Sequence, residues 1–312
     1  MGKKKRIFLV VICLMAVGIV AWAIIQAWEP HYRGRALGIW LKGYDNSVVF
    51  LGATRHRDVD DAIYQMGTNA LPYLTKMARA KDSTLKQKIT KSFAKLDIYR
   101  IGFTPAIRIR IRAYCGLRAL GPKAKGAIPL LAETLDAKET LIFKGQAAHA
   151  LANIGLDGIK PLQTALTNRD WEVRKAVAFA LGDYAEDERR WWSFEPPSND
   201  EQAAAEGLVI PVLLELLNDA NGEVRSGAIV SLGKIHKQPD QCVPQLAKVL
   251  KDRQDSNRGS IPSTLRKFGN AARVAVPALI YALDDPNSHT SQEAYRVLRE
   301  IDPEAAAKTG VK

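Results

Sequence analysis

The chain has 312 residues, 47% of them hydrophobic and 25% charged. That is enough apolar surface to bury a sizeable core in one or two domains, and it excludes a disordered chain or a disulfide-stapled miniprotein. Basic side chains outnumber acidic ones by 45 to 33, a formal net charge of +12 that favours acidic partners or anionic membrane surfaces. One segment is apolar and long enough for a bilayer, so a polytopic channel or transporter is excluded as well.

A basic flank over 1–6 carries Lys3, Lys4, Lys5 and Arg6, and residues 7–27 follow without a charge. As a helix this run would measure about 31 Å, against a hydrocarbon core of roughly 30 Å. It is read as a transmembrane helix over 7–27, with Trp22 and Trp28 as an interfacial aromatic belt at its outer end. The rival reading is a secretory signal, since a basic start, an apolar run and the small residues Ala21 and Ala23 also suit cleavage, and the mature chain would then be secreted. Four cations crowd the N-terminal side, whereas Arg33, Arg35 and Lys42 are spread over the fifteen residues after the span. That bias places the N-terminus in the cytoplasm and the rest outside it, in the periplasm if the source is Gram-negative. Without the four, the body keeps +8 of the +12. Cys13 follows the bulky Ile12, which speaks against a lipid anchor, and Cys115 and Cys242 read as small buried apolar groups.

Residues 28–57 are taken as a tether and N-terminal cap: Glu29-Pro30-His31-Tyr32 extended, then a short helix from Arg35 to Leu41 carrying Trp40. Beyond them one apolar-rich ending recurs. Its copies are Ala62 to Gly67, Gly116 to Gly121, Ala150 to Gly155, Ala180 to Ala185, Ser231 to His236, Thr264 to Gly269 and Val297 to Asp302, with a degenerate copy at Ser92 to Asp97. The later endings lie 34, 30, 51, 33 and 33 residues apart, so the 51 is one repeat plus an insertion at about 186–207. After most endings a proline (Pro72, Pro129, Pro161, Pro211, Pro244, Pro277) begins a second apolar pattern. Proline suits the first helical turn, where its missing N–H costs nothing, and the closing glycines suit a left-handed C-terminal cap. The run alternating Ile107, Arg108, Ile109, Arg110, Ile111 and Arg112 has strand periodicity, but the repeat register makes it a helix. Each unit is therefore helix, turn, helix. Such pairs must stack on neighbours to bury their apolar faces, which predicts an all-α solenoid, a right-handed superhelix of antiparallel helix pairs, over 58–305 and a tail over 306–312.

The stretch Asp170-Trp171-Glu172-Val173-Arg174-Lys175-Ala176 with Ala180-Leu181-Gly182, and Glu223-Val224-Arg225 with Ser231-Leu232-Gly233, resembles HEAT repeats, especially the short bacterial kind related to phycobilisome lyase repeats. The resemblance covers roughly 58–305 and implies an α-solenoid. It does not select an activity, because the family includes scaffolds, adaptors and a few enzymes.

Superposing the endings puts Arg110, Lys144, Arg174, Arg225, Arg258 and Ser291 in one column, and Ala113, Ala147, Val177, Ala228, Ile261 and Ala294 in a buried one. The cationic column is either a stripe for an acidic partner, polyanion or lipid headgroup, or a structural ladder. In the ladder each Arg would bond a preceding Asp or Asn, such as Asp170 or Asn221, and a carbonyl of the next repeat. The insertion puts Trp191, Trp192 and Phe194 on a loop, where they would either contact a partner or cover the gap left by the longer connection. His31, His56, His149, His236 and His289 fit no metal spacing, and neither a glycine-rich phosphate loop nor a nucleophile elbow occurs, so no catalytic residue, metal or cofactor is expected. The first expectation is a membrane-anchored, non-enzymatic scaffold or adaptor for a protein or polyanionic partner. The alternatives are a tetrapyrrole-lyase-like enzyme, which the resemblance alone implies, and nucleic-acid binding, which a domain outside the cytoplasm would seldom meet.

Overall fold

A computed structural model describes residues 29–46, 56–84, 104–184 and 199–310. The apolar run 7–27 and the degenerate copy at 92–97 lie outside them. Among the described residues no helix is long and apolar enough to cross a membrane. The chain divides into two compact units, one up to Lys123 and a second from Ala124 on.

The first unit opens with an antiparallel hairpin, β1 (His31–Tyr32) and β2 (Arg35–Ala36), followed by the short helix α1 (Leu37–Leu41). The chain is thus not wholly helical: the expected tether folds back on Arg35, and the helix begins two residues later than the sequence implied. The two-residue turn causes this, because Arg33 and Gly34 both take positive φ, 49° and 72°, the requirement of a type I′ hairpin. Helices α2 (Arg57–Met66), α3 (Leu71–Ala78) and α1 all pack on α4 (Ala106–Leu120). Among the described residues the largest fully enclosed side chains of this unit are Leu37, Leu41, Ile63, Leu74, Tyr114, Leu117 and Leu120. The alternating run of isoleucines and arginines lies inside α4, as the register predicts, and its first N–H, that of Ala106, is capped by the Asp82 carboxylate at 3.1 Å. Arg112 is drawn into this core by a two-pronged bond to Asp45, with Nε at 2.7 Å. Beside it the buried Tyr44 hydroxyl donates to Asp60; desolvation first, and then that carboxylate, push its pKa well above the usual value.

The second unit is a two-layer stack. One layer holds α5 (Ile128–Asp136), α7 (Leu156–Ala165), α9 (Asn199–Leu216), α11 (Pro239–Lys251) and α13 (Val276–Ala282). The other holds α6 (Leu141–Ile154), α8 (Trp171–Tyr184), α10 (Gly222–Ile235), α12 (Ile261–Lys267) and α14 (Ser288–Ile301), and α15 (Pro303–Lys308) closes on α14. Successive helices of the second layer pack on one another, as do those of the first. All seven recurring endings coincide with the last turn of a helix, and every residue of the expected buried column is at 0% exposure.

Two local expectations fail for identifiable reasons. Pro72, Pro129 and Pro277 do sit in first turns, but Pro161, Pro211 and Pro244 lie inside α7, α9 and α11. A 3-10 segment precedes the first three and stops the helix from extending backward. Before the others the chain is already helical; α9 begins at Asn199, so residues 199–207 of the expected insertion are helix, built on the strong helix former Ala at 203–205. The closing glycines take positive φ but not the left-handed helical well: Gly67, Gly121 and Gly155 have ψ of −146°, −129° and −153°, a region in practice open to glycine alone. Of two endings that close without glycine, His236 adopts the left-handed cap, at φ 38° and ψ 35°, whereas Asp302 stays at negative φ, −145°.

Candidate functional site

The cationic column begins with Arg110 in the first unit, whose Nε donates to the carbonyl of Ala78 at 3.0 Å. The other four members lie in the second unit, each reaching from one repeat to the next. Arg174 forks onto Asp219 through Nε and Nη2 at 2.7 and 2.9 Å, Arg225 onto Asp255 at 2.9 and 3.1 Å, and Arg258 onto Asp285 at 2.8 and 3.0 Å. The remaining Nη1 donates backward to the turn that opens its own helix: Arg174 to Asn168 O, Arg225 to Asp219 O and Arg258 to Asp255 O, at 2.8, 2.8 and 3.1 Å. The polarity is opposite to the sequence expectation, since the carboxylate belongs to the following repeat and the carbonyl to the arginine's own. The direction is set by the helix start. Asp219 and Asp285 already cap the N–H two residues on, Asn221 and Asn287, at 2.8 Å each, so each carboxylate is held where the preceding arginine arrives.

One rung is built differently. At residues 168–170 the Asp-x-Asn order of the other turns is reversed to Asn-x-Asp, which moves the carboxylate two residues along. The matching cation is Lys144, whose flexible stem reaches Asp170 and, at 3.0 Å, Glu172, and whose side chain is only 5% exposed. A lysine suits this place because it satisfies two separate carboxylates as a point charge, while Arg fits a single carboxylate with both prongs. Burial opposes the Lys144 charge, but the two carboxylates outweigh it and raise its pKa. The ladder ends at Ser291, which lacks a charge to pass on.

The rungs tie acid stability to the stack. Arg174 holds Asp219 below the ordinary carboxylate range, and Arg258 does the same for Asp285. For Asp255 burial pulls the other way, but Arg225 prevails and the net shift is downward. Groups with depressed folded values stabilise at pH above their unfolded value of about 4, and that contribution disappears as pH falls through the lower folded value. The stability difference between the wild type and Asp219→Asn is therefore expected to be level from pH 7 to 5 and to shrink below about pH 4; urea titrations at stepped pH check this.

With the column turned into rungs, other side chains face solvent on the second-helix layer. Trp171 and Val230 are 36% and 39% exposed. Lys175 reaches Glu223 of the next repeat at 2.6 Å. Phe179 is half-buried at the position equivalent to Val230, and Lys267 is exposed. Sequence reasoning missed these positions: Phe179 and Val230 share a register but not a residue type, and Trp171, Lys175 and Lys267 stand at other positions of their repeats. It also missed the rung acceptors, although Asp219-x-Asn221, Asp255-x-Asn257 and Asp285-x-Asn287 repeat one pattern. Trp191, Trp192 and Phe194 lie outside the described residues. Among the histidines His149 is buried and His31, His236 and His289 are exposed, and no group of three or more His, Cys, Asp or Glu able to hold a metal occurs among the described residues. Cys115 and Cys242 are buried, and burial pushes both thiols up to about 11.

No curated protein matches the sequence. By superposition the chain is similar to an engineered protein at 20% identity and a TM-score of 0.39, over 85% of this chain and 68% of that one. It is also similar to Kap121p in its complex with Pho4p, at 15% identity and 0.45, over 88% of this chain and 34% of the other. The CpcE–CpcF complex of phycocyanin lyase from a Nostoc species aligns at 17% identity and 0.36, over 90% and 95%. The family models of HEAT repeats match residues 159–187 and 210–276, which take in α7, α8, the end of α9, α10, α11 and α12 and two of the three arginine rungs. Over those residues the chain matches HEAT repeats.

Proposed function

We propose that this chain is a membrane-anchored HEAT-repeat scaffold or adaptor that binds a protein partner on the second-helix layer of its repeats. The observation that supports the reading is the division of roles in that layer. The four column cations of the second unit are bonded to carboxylates of the next repeat, while Trp171, Lys175, Phe179, Val230 and Lys267 give the same layer a mixed apolar and charged surface. Stacked repeats that present such a surface are the usual source of extended binding surface, and exposed tryptophan is the side chain most often found at the energetic centre of an interface. Neutralised rungs leave less for a polyanion to grip, which favours a protein. The apolar run 7–27 is the tether, with the N-terminus in the cytoplasm and the repeats outside it. The insertion with Trp191, Trp192 and Phe194 hangs beside α8 in sequence and would extend the same contact.

The test is photo-crosslinking in intact membranes. A benzophenone side chain placed at Val230, and separately at Trp192, is expected to capture the same protein, whereas one at the exposed Pro277 of the other layer captures none. Capture from Pro277 alone, or a nucleic-acid adduct from Val230, would remove the proposal.

A further inference from the structure

The hairpin and α1 at the start of the first unit carry an unusual surface. Of its charged side chains the two acids are engaged inward: Glu29 accepts the N–H of Gly38, and Asp45 takes the fork of Arg112. What faces out is cationic or amphipathic. Arg33, Arg35 and Lys42 are exposed, Ile39 is 54% exposed, and Tyr32 and Trp40 are half-buried. The two rings pack at 6.3 Å, and the Trp40 indole donates to Tyr32 O at 3.1 Å. Each guanidinium lies over a ring, Arg33 5.1 Å from Tyr32 and Arg35 5.4 Å from Trp40. Arg33 also occupies a backbone position, φ 49°, that Asn or Gly would take with less strain, so the turn keeps a cation where local stability favours another residue.

Connectivity supplies the occupant. The uncharged run ends at Ala27 and the hairpin begins at His31, a separation that an extended chain bridges in about 14 Å. Aromatic side chains and arginines are the groups that settle at the headgroup level. We infer that the face formed by Tyr32, Arg33, Arg35, Ile39 and Trp40 lies on the membrane that holds the tether and binds its anionic lipid headgroups, which fixes the start of the repeats at the bilayer surface. This rests on the proposed membrane anchor, and the test keeps the two apart.

The full-length chain with Cys13→Ala is reconstituted in nanodiscs of phosphatidylcholine with or without phosphatidylglycerol, with a nitroxide on Ile39→Cys. Cys115 and Cys242, buried and with raised thiols, stay unlabelled. The label is expected to be shielded from a water-soluble nickel chelate and open to oxygen when phosphatidylglycerol is present. Arg33→Asn with Arg35→Gln, changes the type I′ turn and an exposed strand position accept, should lower the ratio of docked to undocked forms about thirtyfold, and raised salt should act in the same direction. A label as open to nickel as one at the exposed Lys248→Cys, with the chain still resistant to carbonate extraction, overturns the inference and leaves the anchor standing. Loss of the chain in carbonate overturns the anchor and the inference with it. Weaker retention of the double variant on DNA with no change in label depth assigns the patch to a polyanion and also overturns the inference.

Discussion

Replacing Arg225 with alanine is expected to lower the unfolding free energy by about 3 kcal/mol, read as a lower urea midpoint by far-UV circular dichroism. The side chain makes four bonds, two to Asp255 and one each to the carbonyls of Asp219 and Ala220. Its removal strands the Asp255 carboxylate, whose side chain is 9% exposed, and an unpaired buried charge costs more than the pair itself contributes. Arg225→Lys restores the charge but not the two-pronged geometry, so it should recover about half of the loss. Lys175→Ala provides the contrast: its partner Glu223 is 62% exposed, and such a pair contributes under about 1 kcal/mol.

Gly182→Ala should cost about 2 kcal/mol, although alanine is the better helix former. A methyl on Gly182 would lie 2.7 Å from the Cα of Ser231 on α10. That atom belongs to backbone and cannot rotate aside, and Ser231 is itself pinned by a 2.8 Å bond to the carbonyl of Ala178. The helices α8 and α10 must therefore separate, and overpacking a tight contact outweighs the gain in propensity. Ser231→Gly should not rescue the variant, since the close atom remains; full recovery in that double variant would show that the helices adjust freely.

What the sequence made legible is what repeats. Seven endings fixed the last turns of seven helices, and the buried column from Ala113 to Ala294 held at every position, because one environment imposed an apolar side chain in each copy. The cationic column was visible for the same reason, but its role was not: the acceptors Asp219, Asp255 and Asp285 lie in the following repeat, and a periodicity in one strand of text does not say which neighbour a side chain meets. The reversed Asn168-x-Asp170 and its lysine partner, Lys144, show that acceptor and cation vary together, a signal present in the sequence but readable only when the rung is known. Hairpin formation at Tyr32 to Arg35 was hidden for the opposite reason. An arginine at positive φ breaks the usual Asn-Gly signature of its turn, and so the chain read as an extended tether. The equivalent positions Phe179 and Val230 have no residue type in common, so only burial could reveal them.

The central claim is that interlocked Arg–Asp rungs make the second unit one cooperative stack, the scaffold on which any partner surface depends. Amide hydrogen exchange of the wild type and Arg225→Ala, followed by mass spectrometry under mildly denaturing conditions, tests it directly. The wild type should exchange α7, α8, α10, α11 and α12 as a single block. The variant should split between Ile235 and Pro239, with the helices on the two sides opening at separate rates. A variant that still exchanges these helices together would contradict the account, since the rungs would then be bystanders to packing that couples the repeats without them.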